Sequence, residues 1–235
     1  MRKKILFINH EETKTGAPKI LFQIAKELKT KFDVTIISLK KGSMHHDFDK
    51  EFDNIIYNPS ENIKDTIITL NPDLVYGNTI LAYDYVKAAK ELNIPAIIHV
   101  HELKDSFERI LKEDKIKNFN KIANSYIAVS QKVYDYLIKL GCLKIKLIGE
   151  FIDVSEVIRK ADIIDYQEKF DFITIGTCCM RKGTDIFIDS INILKSKGNI
   201  LKTAWIGDNV NHIDPFKHKI DRSKKDIKDI KKHVV

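Results

Sequence analysis

The stretch FITIGTCCMRKGTDIFIDSINILKSKG, residues 172–198, opens as an apolar run (Phe172, Ile173, Ile175) and breaks at Gly176. It then crosses a loop ending in Arg181, Lys182 and Gly183 and enters a helical pattern. A strand feeding a helix through a glycine-flanked basic loop can hold phosphate, because the first N–H groups of a helix point outward unpaired and two cations neutralise the anion. A solvent-facing basic turn would carry the same residues, so the motif alone leaves both readings open. It is not a Walker A loop, which needs Gly-Lys-Ser/Thr, whereas the order here is Lys182-Gly183-Thr184.

Working outward, the same unit recurs. Apolar strands are expected at 4–8, 34–39, 54–57, 73–76, 95–100, 125–129 and 145–148, with helices at 17–29, 63–70, 80–92, 106–115 and 131–140. In the first helix Ile20, Leu21, Ile24, Ala25 and Leu28 share one face at helical spacing. The strands lack polar alternation, which marks them as buried on both faces, as parallel strands are. Alternating strands and helices with short connections imply an α/β fold built on a doubly wound parallel sheet. Ligands of such sheets sit beyond the carboxyl ends of the strands, so the loops after Ile8, Leu39, Tyr76, Val100 and Val129 are the ones to watch. A second set follows as strand 170–175, helix 185–197 and strand 202–206. The expected division is a Rossmann-like domain over 1–151, a polar linker over 152–169, and an incomplete second Rossmann-like domain over 170–235.

Composition narrows the function. The 235 residues carry a formal net charge of +7, but residues 217–235 hold eight Lys/Arg against three Asp, leaving about +2 for the rest. That is a near-neutral body with a basic tail, and no nucleic-acid-binding motif accompanies it. Nucleic acid is therefore not the expected partner. No stretch approaches the roughly 18 apolar residues of a membrane span. The N-terminal apolar run covers only residues 5–8, short of the roughly 7–15 of a signal peptide core. A cytoplasmic protein is expected, with peripheral contact to the cytoplasmic face of a membrane through the basic tail left open. Cys142, Cys178 and Cys179 have no metal-ligand spacing and read as reduced thiols.

Two further loops carry candidate chemistry. In HEETKTGAPK, Gly16 lets the backbone approach a ligand at a helix start and Lys19 adds charge, although an ordinary turn would also use a glycine. After 95–100 come His101 and Glu102, with His99 two residues earlier on the same strand face. A histidine at a strand's carboxyl end facing the cleft is the favoured reading. A hydrogen-bonded loop histidine is the alternative, and H-x-H-E lacks a distant fourth ligand for a metal. His45-His46-Asp47 reads as a surface loop and Trp205 as core. No G-x-S-x-G supports a serine nucleophile.

Taken in order, KILFINH with the Gly16 loop, PDLVYGNT, HVHE, SYIAVSQKVYDYL, and GTCCMRKGTDIFI followed by TAWIG resemble the retaining GT-B glycosyltransferases of family 4 over about residues 4–208. The resemblance implies transfer of a hexose from a nucleotide-diphosphate sugar, UDP- or GDP-linked, to a glycan, lipid-linked or other acceptor with retention of configuration. It implies no metal and no cofactor beyond that donor substrate. His101 would contact the transferred sugar with Glu102 beside it, and Gly16, Lys19, Arg181, Lys182 and Gly183 would hold the diphosphate. Three departures stand out. Gly149-Glu150-Phe151-Ile152-Asp153 lacks the family's Asn-Gly pair, and Thr177 stands where an Arg is common. The Glu-x7-Glu segment would fall beyond Val235. The second domain is therefore expected to be cut short, with a catalytically inactive binding subunit as the alternative function.

Overall fold

The computed structural model describes residues 2–57, 59, 61–161, 170–176 and 182–206. The chain forms two units, Met1–Val157 and Ile158–Val235. The first runs β1 (Lys4–Asn9), α1 (Gly16–Leu28), β2 (Asp33–Ser38), α2 (His45–Glu51), β3 (Ile55–Tyr57), α3 (Ile63–Leu70), β4 (Leu74–Asn78) and α4 (Tyr83–Glu91). It continues through β5 (Ala96–Val100), α5 (Lys104–Ile110), α6 (Glu113–Lys117), β6 (Ser125–Ala128), α7 (Gln131–Lys139) and β7 (Ile145–Leu147) to α8 (Val154–Ala161), a helix that crosses the boundary into the second unit.

All seven strands are parallel, in the order β3-β2-β1-β4-β5-β6-β7. This is the expected doubly wound α/β sheet. Strand alternation sends Ile5 and Phe7 of β1, with Val34, Ile36 and Tyr76, against Leu21 and Ala25 of α1 and Phe48 of α2. Leu6 and Ile8, with Ile37, Val75 and Ile98, face the other way onto Ile67 of α3, Val86 and Ala89 of α4, and Leu137 of α7. Both faces are thus apolar and covered, as a parallel sheet requires. The chain leaves β1 in one direction to β3, then returns to β4 on the far side of β1. The chain's direction across the sheet reverses there, which is the place at the carboxyl edge where such sheets take their ligands.

The second unit pairs β8 (Phe172–Ile175) with β9 (Thr203–Ile206), also parallel, through α9 (Thr184–Ser196). Trp205 is buried, as expected: its ring meets Phe187 edge-on at 5.6 Å and its Nε1 donates to the Gly176 carbonyl at 2.5 Å.

Three local expectations change. His45-His46-Asp47 lies at the surface as expected, with His46 and Asp47 exposed, but it begins α2 instead of forming a loop, because Phe48 and Phe52, one turn apart, anchor a helix on the core. The helix expected over 106–115 is two helices. It stops at Leu111, whose extended backbone (φ −100°, ψ 139°) turns its side chain into the core. The stretch read as linker contains α8, started by Asp153, whose Oδ1 accepts from the Glu156 N–H at 2.9 Å. Cys142 is buried, and burial pushes its thiol up to about 12, as suits a reduced core thiol. Cys178, Cys179, Arg181 and the basic tail lie outside the described residues.

Gly77 in β4 sets the distance of α4 from the sheet. A Cβ there would stand 2.4 Å from Val86 Cγ2 and 2.9 Å from Ala82 Cβ. Gly77→Ala should lower stability by about 1–3 kcal/mol through overpacking. Because the new methyl meets Val86, Gly77→Ala with Val86→Ala should cost less than the two single changes summed. Urea unfolding of the three variants measures this, and strict additivity would contradict the close approach.

Candidate functional site

The site is built on one level of the sheet's carboxyl edge. Asn9 of β1 lies opposite Ser38 of β2, and Asn78 of β4 opposite His99 of β5, one step beyond the Ile8–Gly77 pair that joins β1 to β4. Alternation places all four on the α1 side of the sheet, in line with Phe7, Ile36, Tyr76 and Ile97. All four are buried. Both amide atoms of Asn9, Ser38 Oγ and His99 Nε2 have no hydrogen-bond partner among the described residues. Buried polar atoms are costly unless satisfied, and a row of them marks this edge as built for something other than packing.

Asn78 links the row to the loops. Its Nδ2 donates to the Ala17 carbonyl in the first turn of α1 at 2.9 Å, which fixes the amide so that Oδ1 faces His101 Nε2 at 3.0 Å. The other nitrogen, Nδ1, lies 3.1 Å from Glu150 Oε1. Both ring nitrogens of His101 therefore face acceptors, an arrangement that only the doubly protonated ring satisfies completely. Burial pulls the His101 pKa down from its ordinary value, and the Glu150 hydrogen bond and charge pull it back up. The His99 ring lies against His101 with centroids 4.2 Å apart and the ring planes tilted by 43°, and its Nδ1 shares a 2.8 Å hydrogen bond with the Tyr76 hydroxyl. Burial, with His101 adding to it, holds His99 down at about 3, so it is neutral at any physiological pH.

Glu102 faces a different way from His101. Its Oε2 accepts from the His101 N–H at 3.1 Å and the Ile80 N–H at 3.3 Å. It therefore clamps the loop after β5 to the loop after β4. The residue it helps to fix is Thr79, whose φ of 73° is strained for a β-branched side chain. The Thr79 N–H donates to the His99 carbonyl at 2.8 Å, its Oγ1 accepts from the Leu81 N–H at 3.3 Å, and the same oxygen lies 3.5 Å from His10 Nδ1. Burial lowers the His10 pKa while Glu11 opposes the shift.

At the outer side of the loop after β1, Glu12 is fully buried. Its Oε2 lies 2.9 Å from His45 Nδ1, and its backbone pairs with Lys40 and Met44. This strap ties the Gly16 loop to the start of α2. His45 Nε2 in turn faces Asp49 at 3.3 Å, and Asp49 accepts from the Tyr57 hydroxyl at 2.7 Å.

Of the residues expected at the site, the first unit brings together Gly16, His101 and Glu102. Lys19 is exposed at the fourth position of α1. In the second unit Gly183 is the N-cap of α9, with φ 72° in the left-handed region that glycine tolerates. The exposed Lys182 lays its stem over Gly176, 3.6 Å from where a Cβ would stand. Neither Thr15 at the start of α1 nor Gly183 at the start of α9 caps its helix with a side-chain hydrogen bond, and the first turn of a helix directs its N–H groups outward. Sequence reasoning did not find Asn78, Glu150, His10 or Glu12. The Asn at the end of the 73–76 run was a usable signal for Asn78, whereas nothing local marks Glu150, 49 residues from His101. Among the described residues no group of three or more His, Cys, Asp or Glu could hold a metal ion.

The Glu102 clamp has a pH signature. Burial pushes its carboxyl up to about 7 from 4.5, against the backbone N–H bonds that pull it down. The native state then holds the proton more tightly than the unfolded chain does. This contribution to stability is complete below about pH 4.5 and is lost as pH rises through 7. Glu102→Gln keeps an acceptor oxygen and removes the titration. The stability of the Gln variant relative to wild type should rise between pH 5 and pH 8 by roughly 1–3 kcal/mol. The neighbouring histidines are present in both proteins, so their titration drops out of the comparison. A difference that stays flat across urea-unfolding curves at these pH values would contradict the buried placement.

Residues 15–156 match the family model of Glycosyltransferase Family 4. No curated protein matches the chain. Among solved structures, Anabaena HepE in complex with UDP-glucose superposes with a TM-score of 0.71 at 18% identity, covering 97% of this chain and 66% of that one. The apo form of the lipopolysaccharide outer core galactosyltransferase WaaB gives 0.58 at 14%, covering 94% and 64%. A putative UDP-N-acetylglucosamine 2-epimerase from Listeria monocytogenes gives 0.59 at 14%, covering 93% and 65%. At such identities these likenesses show the fold alone, and the chain spans a little under two thirds of the length of each. The fold is the Rossmann-like α/β fold of GT-B glycosyltransferases. The family model, by contrast, runs over more than half of the 235 residues and takes in the site residues from Gly16 through Asn78, His101 and Glu102 to Glu150. The chain therefore belongs to Glycosyltransferase Family 4.

Proposed function

We propose that this chain serves the transfer of a hexose from a nucleotide-diphosphate sugar, UDP- or GDP-linked, to a carbohydrate or lipid-linked acceptor, with retention of the anomeric configuration. The observation that carries the reading is His101, held at the topological switch by Asn78 directly against the start of α1 and set within the family match. HepE, whose structure holds UDP-glucose, supports the donor class by its likeness in fold.

In this reading His101 contacts the transferred sugar and the uncapped start of α1 at Gly16 takes the diphosphate. Helix-start N–H groups and cations lower the barrier by stabilising negative charge as it develops on the departing diphosphate. Lys182, Gly183 and the start of α9 supply a second anion seat by the same physics, with Arg181 beside them in sequence, and Lys19 adds charge near Gly16. Glu102 acts through the loop it clamps and is a positioning residue. The basic segment 217–235 is the part suited to peripheral contact with an anionic membrane, on whose cytoplasmic face a lipid-linked acceptor would be met. An epimerase shares the fold but needs no acceptor, so acceptor dependence separates the two chemistries.

Calorimetric titration of the full chain with UDP, GDP, ADP and their hexose conjugates tests the donor class. Lys182→Ala should weaken the preferred nucleoside diphosphate by about tenfold or more, the scale of a lost charge-assisted hydrogen bond, and leave the nucleoside unchanged. Equal loss for both ligands would remove Lys182 from the diphosphate. With an acceptor supplied, His101→Ala should abolish hexose transfer, and NMR of the wild-type product should show the donor's anomeric configuration. An inverted product would overturn retention.

A further inference from the structure

Glu150 stands where a ligand phosphate would be expected. Among the described residues, the two oxygens of its carboxylate are the only atoms within 4 Å of the point where a Gly16 Cβ would lie, each at 3.8 Å, neighbouring residues and the helix's own backbone aside. Gly16 opens α1, a helix of 13 residues whose N-cap, Thr15, makes no side-chain cap and whose first turn contains no acidic residue. The partial positive charge of that helix start therefore has no counter-charge from its own sequence. Glu150, from the segment after β7, supplies one.

Among the described residues its hydrogen-bond partner is His101, through the 3.1 Å contact of Oε1 with Nδ1. The histidine side chain is 8% exposed, whereas that of Glu150 is 51% exposed. Glu150 lies outside any strand or helix, and a Cβ at the adjacent Gly149 would meet nothing within 4 Å among the described residues. The carboxylate is therefore held at its tip by a buried ring, on a half-exposed side chain in a segment outside any regular element.

We infer that Glu150 is an internal stand-in for the ligand's diphosphate: its carboxylate occupies the anion seat at the start of α1 beside His101 and leaves when a diphosphate enters. The inference rests on the reading of the ligand as a nucleotide-diphosphate sugar. Two anions cannot share a seat made of one helix start and one imidazole, so ligand entry requires the carboxylate to leave. Glu150 thereby sets a threshold. Weakly held anions do not displace it, whereas a diphosphate with further contacts elsewhere on its nucleotide does. Glu150 is in this sense a specificity-determining residue.

Glu150→Gln keeps the shape and a hydrogen-bond acceptor for His101 and removes the charge. In the full chain it should bind inorganic pyrophosphate and UDP roughly three- to tenfold more tightly than wild type, the scale of one charge at a helix terminus. Uridine, which has no phosphate, should bind both proteins equally. Glu150→Asp, one methylene shorter but still charged, should fall between them and serves as a second variant should the first misfold. Pyrophosphate binding that is unchanged or weaker in Glu150→Gln, or absent from both proteins, overturns the inference. If pyrophosphate tightens as expected while UDP-hexoses bind no better than pyrophosphate, the inference stands and the nucleotide-sugar reading fails. If UDP-hexoses bind wild type and variant equally well, the donor reading stands and the inference fails.

Discussion

The pairing of β1 with β4 is the constraint on which the rest of the first unit depends. It brings residues 5–8 beside residues 74–77 and so puts the exits of two strands, distant in sequence, side by side. The chain reverses its direction of travel across the sheet at that point. Asn78 then spans the gap, one end of its amide on α1 and the other on His101. Shifting β4 by one residue would turn Asn78 to the opposite face and put Gly77 or Thr79 in its place, neither of which carries an amide to span the gap. The site's geometry is thus a matter of strand register before it is a matter of side chains.

Against that frame the polar level formed by Ser38, Asn9, Asn78 and His99 stands out. A sheet whose faces are otherwise Ile, Val, Leu and Phe carries, at its carboxyl edge, four buried polar side chains in a row. Each unpaired buried polar group costs on the order of 1–3 kcal/mol. Thr79 adds backbone strain close by, and Glu102 adds a carboxyl that resists ionisation. The apolar layers on both faces offset these costs. Such concentration of unfavourable features at one edge is expected where a protein holds groups ready for a ligand and not for its own packing.

The fold was largely readable in the sequence because its signal is local. The central strands announce themselves by apolar runs such as Ile5–Ile8 and Ala96–Ile98, and each long helix by one apolar face. Helix α2 escaped because seven residues with two histidines and three acids look like a loop until Phe48 and Phe52 are seen as one turn of helix. The division near Leu111 escaped because a single side chain's pull into the core leaves no local mark. At the site, Gly16 and His101 were legible, since a glycine at a helix start and a histidine at a strand end carry positional meaning. Glu150 and Glu12 were not. Glu150 acts across 49 residues and Glu12 across 33, and only the folded sheet decides which carboxylate meets which histidine. Glu102 was singled out correctly as a residue of interest, but its orientation onto two backbone N–H groups could not be read from its place next to His101.

The strand order also bears on how the protein is made. β1 sits between β2 and β4, yet β4 is the fourth strand to leave the ribosome. A nascent chain can assemble β1, β2 and β3 early, but the second edge of β1 then stays open until residue 78 and its flanking segments have emerged. At roughly 5–20 residues per second that is an interval of seconds. During it, a bare apolar edge carrying Leu6, Phe7 and Ile8 is available to any passing strand. The exposure of that edge during synthesis is therefore written into the position of the first strand, inside a sheet whose other half is translated later.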